Sequence, residues 1–175
     1  MDRTERLARA AMDGDSEAFY ELMSLQKERM YRIAYAYFKN EDDAIEAIQE
    51  TAYRAWKTFR KLREPRYAST WLIRILLNCC NDERKRKRRL RGGAEREVGA
   101  APSAEGEVVA RLDMTEAMER LKPKYREVLL LKYYEDMTLG EIAAALGRPV
   151  GTVKARLHKA LALARAIMSE GEGER

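Results

Sequence analysis

Three groups of side chains are spaced so that they could act on another molecule. Between Glu41 and Glu50 stand five carboxylates and no cation, while Arg84 to Arg91 holds seven cations and one leucine. Further on, Thr152, Arg156 and Lys159 recur at i, i+4 and i+7, which on a helix puts a hydroxyl and two cations on one face, with Lys154 and His158 beside them. Paired acids such as Asp42 and Glu46 could hold magnesium, but no other acids converge on that helix start. A cationic run can instead neutralise phosphates and release counterions.

Other chemistry is poorly supplied. Cys79 and Cys80 are adjacent, so they cannot form an ordinary disulfide and lack CxxC metal spacing; small buried residues in a reducing compartment are expected. His158 is the only histidine, and its basic neighbours repel a cation, so neither a zinc site nor a Ser-His-Asp arrangement is expected. The sequence leads to no catalytic residue, no metal and no cofactor. The formal net charge of +5 and pI of about 9.2 favour an anionic partner, nucleic acid ahead of an acidic membrane surface. No apolar run approaches the roughly 20 residues needed to span a bilayer, and MDRTERLARA lacks a signal-peptide core. No direct membrane insertion and a cytoplasmic location are expected.

The elements that must position these groups read as helices nearly throughout. After Asp15, Phe19, Leu22, Met23, Met30, Ile33, Ala34 and Tyr37 give amphipathic spacing. A second helix opens with Glu41, Asp42 and Asp43, suited to the positive end of its dipole. Ala44, Ile45, Ile48, Ala52, Ala55, Trp56 and Phe59 are expected to face inward there. A third runs from about Ser69 to Leu90, with Leu72, Ile75, Leu76 and Cys79 on one stripe, after the loop FRKLREPRYAS. The segment GGAEREVGAAPSAEG then reads as a connector. Beyond it Val108, Val109, Leu112, Ala117, Met118 and Leu121 suggest a helix, and Pro123 starts another carrying Val128, Leu129, Leu131 and Tyr133. The expected architecture is all-α: two small helical domains, 1–91 and 107–175, joined by a flexible linker at 92–106.

The carboxyl-terminal domain holds the most specific local pattern. Thr138 and Glu141 match a capping box, Gly147 suits a helix end that needs positive φ, and Pro149 opens the next helix. Val150, Val153, Leu157, Ala160, Leu161 and Ala164 are expected to be buried, with Thr152, Arg156 and Lys159 opposite them. Two short helices about a glycine turn form a helix-turn-helix fit for the major groove.

The spelling EIAAALGRPVGTVKARLHKA closely resembles the carboxyl-terminal domain of bacterial RNA polymerase sigma factors, especially the extracytoplasmic-function (ECF) group, and LKPKYREVLLLKYYEDMTLG resembles its supporting half. NEDDAIEAIQETAYRAW resembles the family segment that docks on the clamp helices of the polymerase's large subunit. EPRYASTWLIRILLNCCNDERKRKR resembles the segment that melts and reads the minus-ten element. Departures occur at Ile45, Glu46, Ala52, Ala155 and His158, where the family commonly has other residues.

The resemblance implies a promoter-specificity subunit that binds core RNA polymerase at the clamp helices and flap, promoter DNA in duplex and single-stranded form, and an anti-sigma factor. It implies minus-thirty-five contacts from Arg148, Pro149, Gly151, Thr152, Lys154, Arg156 and Lys159. For the minus-ten strand it implies Lys61, Arg63, Arg66, Tyr67, Ser69 and Trp71, continued by Arg74, Asn78, Asn81, Arg84 and Lys85. For core polymerase it implies Asp42, Asp43, Glu46, Gln49 and Glu50. Of the aromatic residues near the loop, Trp56 and Phe59 are expected to be core, and Tyr67 and Trp71 are placed where an extruded base could stack. Two other readings compete. A free-standing helix-turn-helix regulator leaves the acidic segment without a role and lacks an evident dimerisation helix; a nucleic-acid enzyme lacks converging acids.

Overall fold

The computed structural model describes residues 2–92 and 117–173, with side chains through Glu170. All regular elements among them are helical. The chain divides into two compact units, one through Arg84 and one from Lys85. The expected linker at 92–106 lies, apart from Gly92, outside the described residues, as do Val108, Val109 and Leu112.

Four helices build the first body: α1 (Arg3–Met12), α2 (Ser16–Phe38), α3 (Glu41–Thr58) and α4 (Ala68–Leu90), the last turns of which run past Arg84 into the second unit. Helix α1, read from sequence only as a charged terminus, buries Ala8 and Ala11 against its neighbours. Capping residues set the joints. Asp15 accepts from the N–H groups of Glu17 and Ala18 to start α2, and Lys39 at φ 53° ends it. Asn40 then accepts from the Asp43 N–H at 3.0 Å to start α3. The core gathers Phe19, Leu22, Phe59, Leu62 and Leu72 around the alanines of α1 and Ala55.

Helix α3 buries Ala44 and Ala55, with Phe59 just beyond its end, as expected, but its inward face is rotated away from Ile45 and Trp56. Ala44, Ala47, Thr51 and Ala55 are buried, whereas Ile45 and Trp56 are 41% and 42% exposed. Small residues on the buried stripe let α2 approach closely, and the Thr51 hydroxyl donates to the Ala47 carbonyl instead of going unsatisfied. Helix α4 buries Leu72, Ile73, Leu76, Leu77, Cys79 and Cys80; beyond Cys80 no side chain is buried.

In the second unit, residues 117–120 are helical and are followed by α5 (Pro123–Tyr133), α6 (Leu139–Leu146) and α7 (Val150–Gly173). Pro123 occupies the first turn of α5, and Val128 to Leu131 are buried, but Tyr133 is exposed rather than inward. Arg126 is nearly fully buried, with Nε donating to the Met118 carbonyl at 2.6 Å and Nη2 to those of Glu119 and Leu121 at 3.0 and 2.6 Å. The guanidinium thereby closes the end of the preceding helical segment onto α5.

Both halves of the capping box on α6 are present: the Glu141 N–H reaches Thr138 Oγ1, and the Thr138 N–H reaches Glu141 Oε2. At its other end Gly147 adopts φ 61°, its N–H donating to Ala144 and that of Arg148 to Ala143, which is a Schellman closure. A side chain at φ 61° meets the steric cost of the left-handed region. Gly147→Ala is therefore expected to cost about 1–2 kcal/mol, read as a lower unfolding midpoint; an unchanged midpoint would show that the turn relaxes freely.

Candidate nucleic-acid and protein interfaces

At the roughly 100° per residue of an α-helix, Asp42, Glu46 and Gln49 share one outward face of α3 with Ile45, Tyr53 and Trp56. All six are exposed. Asp43 and Glu50 lie on the flanks and are half-buried. Sequence reasoning found the carboxylates and missed the apolar half, because it assigned Ile45 and Trp56 inward. The missed signal was a second apolar stripe beside a complete alanine stripe. Trp56 is not loose: its ring lies 5.1 Å from that of Phe19, and Lys57 sits 4.3 Å from the Tyr53 ring centre. Glu50 is engaged as well, accepting from Arg54 Nε at 2.6 Å, while Arg54 Nη1 donates to Asp82 on α4 at 2.7 Å. Asp82 first and then Glu50 hold the Arg54 guanidinium protonated well above its ordinary range.

Across the first body, Trp71, Arg74, Asn78, Asn81 and Lys85 follow one another along α4 in steps of three and four, a single stripe that Tyr67 begins just before the helix. Its members are in different states. Tyr67 is 47% exposed under the Arg66 guanidinium, 4.8 Å from its ring centre. Trp71 is half-buried and edge-on to Phe59, with centres 5.3 Å apart, so the ring braces the loop. Ser69 is half-buried in the first turn, while Lys61, Arg63, Arg74, Asn78 and Lys85 are exposed and Arg84 is half-buried. Asn81 Oδ1 accepts the Tyr37 hydroxyl of α2, committing that oxygen to the fold.

Burial pushes the Cys79 thiol up, against the Thr51 hydroxyl and the Arg54 charge, so this cysteine is an inert packing residue. No cluster of potential metal ligands occurs among the described residues, and no helix there is long and apolar enough to cross a membrane.

The second unit presents the turn and start of α7. Arg148, Pro149 and Gly151 are exposed, and Val153 donates to the Pro149 carbonyl at 3.1 Å. The N–H groups of Val150, Gly151 and Thr152 therefore have no acceptor a turn earlier and lie at the positive end of the helix dipole. Val153, Ala160, Leu163, Ala164 and Ile167 form the buried stripe, and Val150 is exposed rather than inward. Thr152, Arg156 and Lys159 do lie together, but on a flank: Thr152 and Arg156 are half-buried, and the outer pole is Gly151, Ala155 and His158, with Lys154 beyond it. Leu163 and Ile167 draw the buried stripe toward that flank. The Lys159 ammonium lies 6.0 Å from the Tyr125 ring.

Family comparison matches residues 22–90 to Sigma-70 region 2 and residues 111–163 to Sigma-70, region 4, which makes this a sigma-70-type protein. RNA polymerase sigma factor SigV of Bacillus subtilis is 30% identical over 144 residues, 82% of this chain and 87% of that protein. The ECF RNA polymerase sigma factor SigW of the same organism is 32% identical over 162 residues, 83% and 86% of the two chains. Among solved structures, CnrH in complex with the cytosolic domain of CnrY matches with a TM-score of 0.69 at 26% identity, covering 97% of this chain and 99% of that one. The sigma factor RpoE of Bartonella quintana, solved with the anti-sigma factor NepR, shares the fold at a TM-score of 0.63 and 19% identity, over 86% and 96% of the two chains. The chain belongs to the ECF group of RNA polymerase sigma factors, which direct the polymerase to promoters.

Proposed function

We propose that residues 1–91 dock on core RNA polymerase and open the minus-ten element while residues 107–175 read the minus-thirty-five element, the core enzyme supplying the chemistry. The observation that carries this division is the placement, on one helical body, of the acidic and apolar face of α3 and the cationic stripe of α4. Complementary charge gives the docking face speed and register, and its exposed Ile45 and Trp56 give it area to desolvate. The cations from Arg74 to Lys85 track phosphates, and Tyr67 offers a ring to an unstacked base. Trp71 holds the loop that presents Tyr67.

In the second unit, the open N–H groups of α7 and Arg148 position a phosphate, while Thr152, Lys154, Arg156 and Lys159 enter the groove. A cytoplasmic location and an anti-sigma partner complete the reading; CnrH, similar at 26% identity and solved in complex with the cytosolic domain of CnrY, supports a protein partner.

The test adds purified protein to core polymerase lacking any specificity subunit. Promoter-dependent transcripts are expected, and their absence would overturn the proposal. At residue level, Arg156→Ala should weaken binding to the upstream element by about 1–3 kcal/mol and relax specificity at one base pair. A footprint identical to wild type would remove Arg156 from base reading.

A further inference from the structure

Arg54 stands between the two faces of the first body. Its Nε donates to Glu50 on the flank of the α3 docking face and its Nη1 to Asp82 on α4, at 2.6 and 2.7 Å. One residue before Asp82, Asn81 receives the Tyr37 hydroxyl from α2. These two ties come directly after Cys80, the last buried side chain of α4, and directly before the cationic turns that begin at Arg84. No side chain of α4 is buried beyond Cys80, and there these polar ties join it to α2 and α3. A guanidinium that uses two edges of its plane fixes the separation and angle of its carboxylates, which a single ammonium does not. All three side chains remain partly exposed, so the pairing adds little to stability and its effect is geometric.

We propose that Arg54 is a positioning residue that couples docking at the α3 face to the aim of the cationic segment of α4, with Glu50 as the shared group. The inference rests on the docking and strand-opening roles proposed above. A cation of the docked enzyme that approaches Glu50 competes for its carboxylate and leaves Arg54 to Asp82. The Arg54–Asp82 pair is then undivided, and its hold on the turn of α4 that precedes Arg84 and Lys85 tightens. Docking and strand capture are linked through one side chain.

The test uses full-length Arg54→Met with core enzyme at saturating concentration, following promoter opening by a fluorescent base analogue in the melted strand, well below the unfolding midpoint. Opening is expected to slow about tenfold while core affinity stays near that of wild type. Asp82→Asn should show the same loss, the double variant should open no more slowly than either single one, because both remove one link, and Arg54→Lys should recover part of the rate. Wild-type opening by saturated Arg54→Met holoenzyme, or losses that add in the double variant, would overturn the coupling. A loss explained entirely by weaker core affinity would place Arg54 in the docking surface and also refute it. The wild-type holoenzyme is the control: if it opens no promoter, the functional proposal itself fails, whereas normal opening by both proteins rejects only the role of Arg54.

Discussion

Arg126→Ala should melt the carboxyl-terminal unit well before the rest of the chain. Three carbonyls now accept from one buried guanidinium, two of them at 2.6 Å. Hydrogen bonds to a charged group contribute about 1.5–3 kcal/mol each, and buried acceptors left unpaired cost about 1–3 kcal/mol. These amounts overlap rather than add, and the truncated side chain also leaves a cavity beside Met118 and Leu121. A net loss of about 3–5 kcal/mol is expected, a large part of the total stability of a small domain. Thermal unfolding of the full-length protein should then separate into two transitions, with binding to minus-thirty-five duplex lost together with the lower one. Arg126→Lys should recover only part, since an ammonium cannot reproduce the fork. A single transition at the wild-type midpoint would mean that the three carbonyls find other donors.

The second large effect concerns core polymerase. Trp56 presents nearly half of its side chain beside Ile45, Tyr53 and the carboxylates Asp42 and Glu46. An aromatic side chain near the centre of a desolvated face commonly carries about 2–4 kcal/mol of binding, so Trp56→Ala should weaken core binding by about 30- to 1,000-fold. Asp42→Asn should act differently, lowering the association rate with a strong dependence on salt. The Phe19 contact requires a control: the unfolding midpoint of Trp56→Ala is measured alongside, and binding is compared at temperatures where both proteins are folded. Wild-type affinity in the folded variant would remove Trp56 from the docking face and leave docking to charge alone.

Together these effects separate the polypeptide's two tasks. One substitution removes the proposed duplex-reading unit by opening its core, and the other removes a proposed docking contact from a body that stays folded. The proposed Arg54 link adds a third kind of effect, in which both partners still bind but strand opening slows.

Much of the fold was legible because it is written locally. The capping box at Thr138 and Glu141, the left-handed Gly147 and the three-and-four spacing in α2 each depend on residues a few positions apart, and each recurs in the structure as read. The segregation of acids onto α3 and cations onto α4 is equally local. Helix α1 was missed because its buried face is two alanines, too small a signal beside its charges.

What the amino-acid order could not settle was the choice between competing faces. Helix α3 carries two apolar stripes, and only the close approach of α2 decides that Ala44, Ala47, Thr51 and Ala55 go inside while Ile45 and Trp56 stay out. Similarly, Arg126 reads as one more surface cation until carbonyls from a preceding segment surround it, and Asn81 and Glu50 read as free contacts until Tyr37 and Arg54 occupy them. Periodicity and capping are properties of a single helix, set by its own backbone geometry. Burial and pairing are properties of two helices at once, so they were decided only when the chain packed.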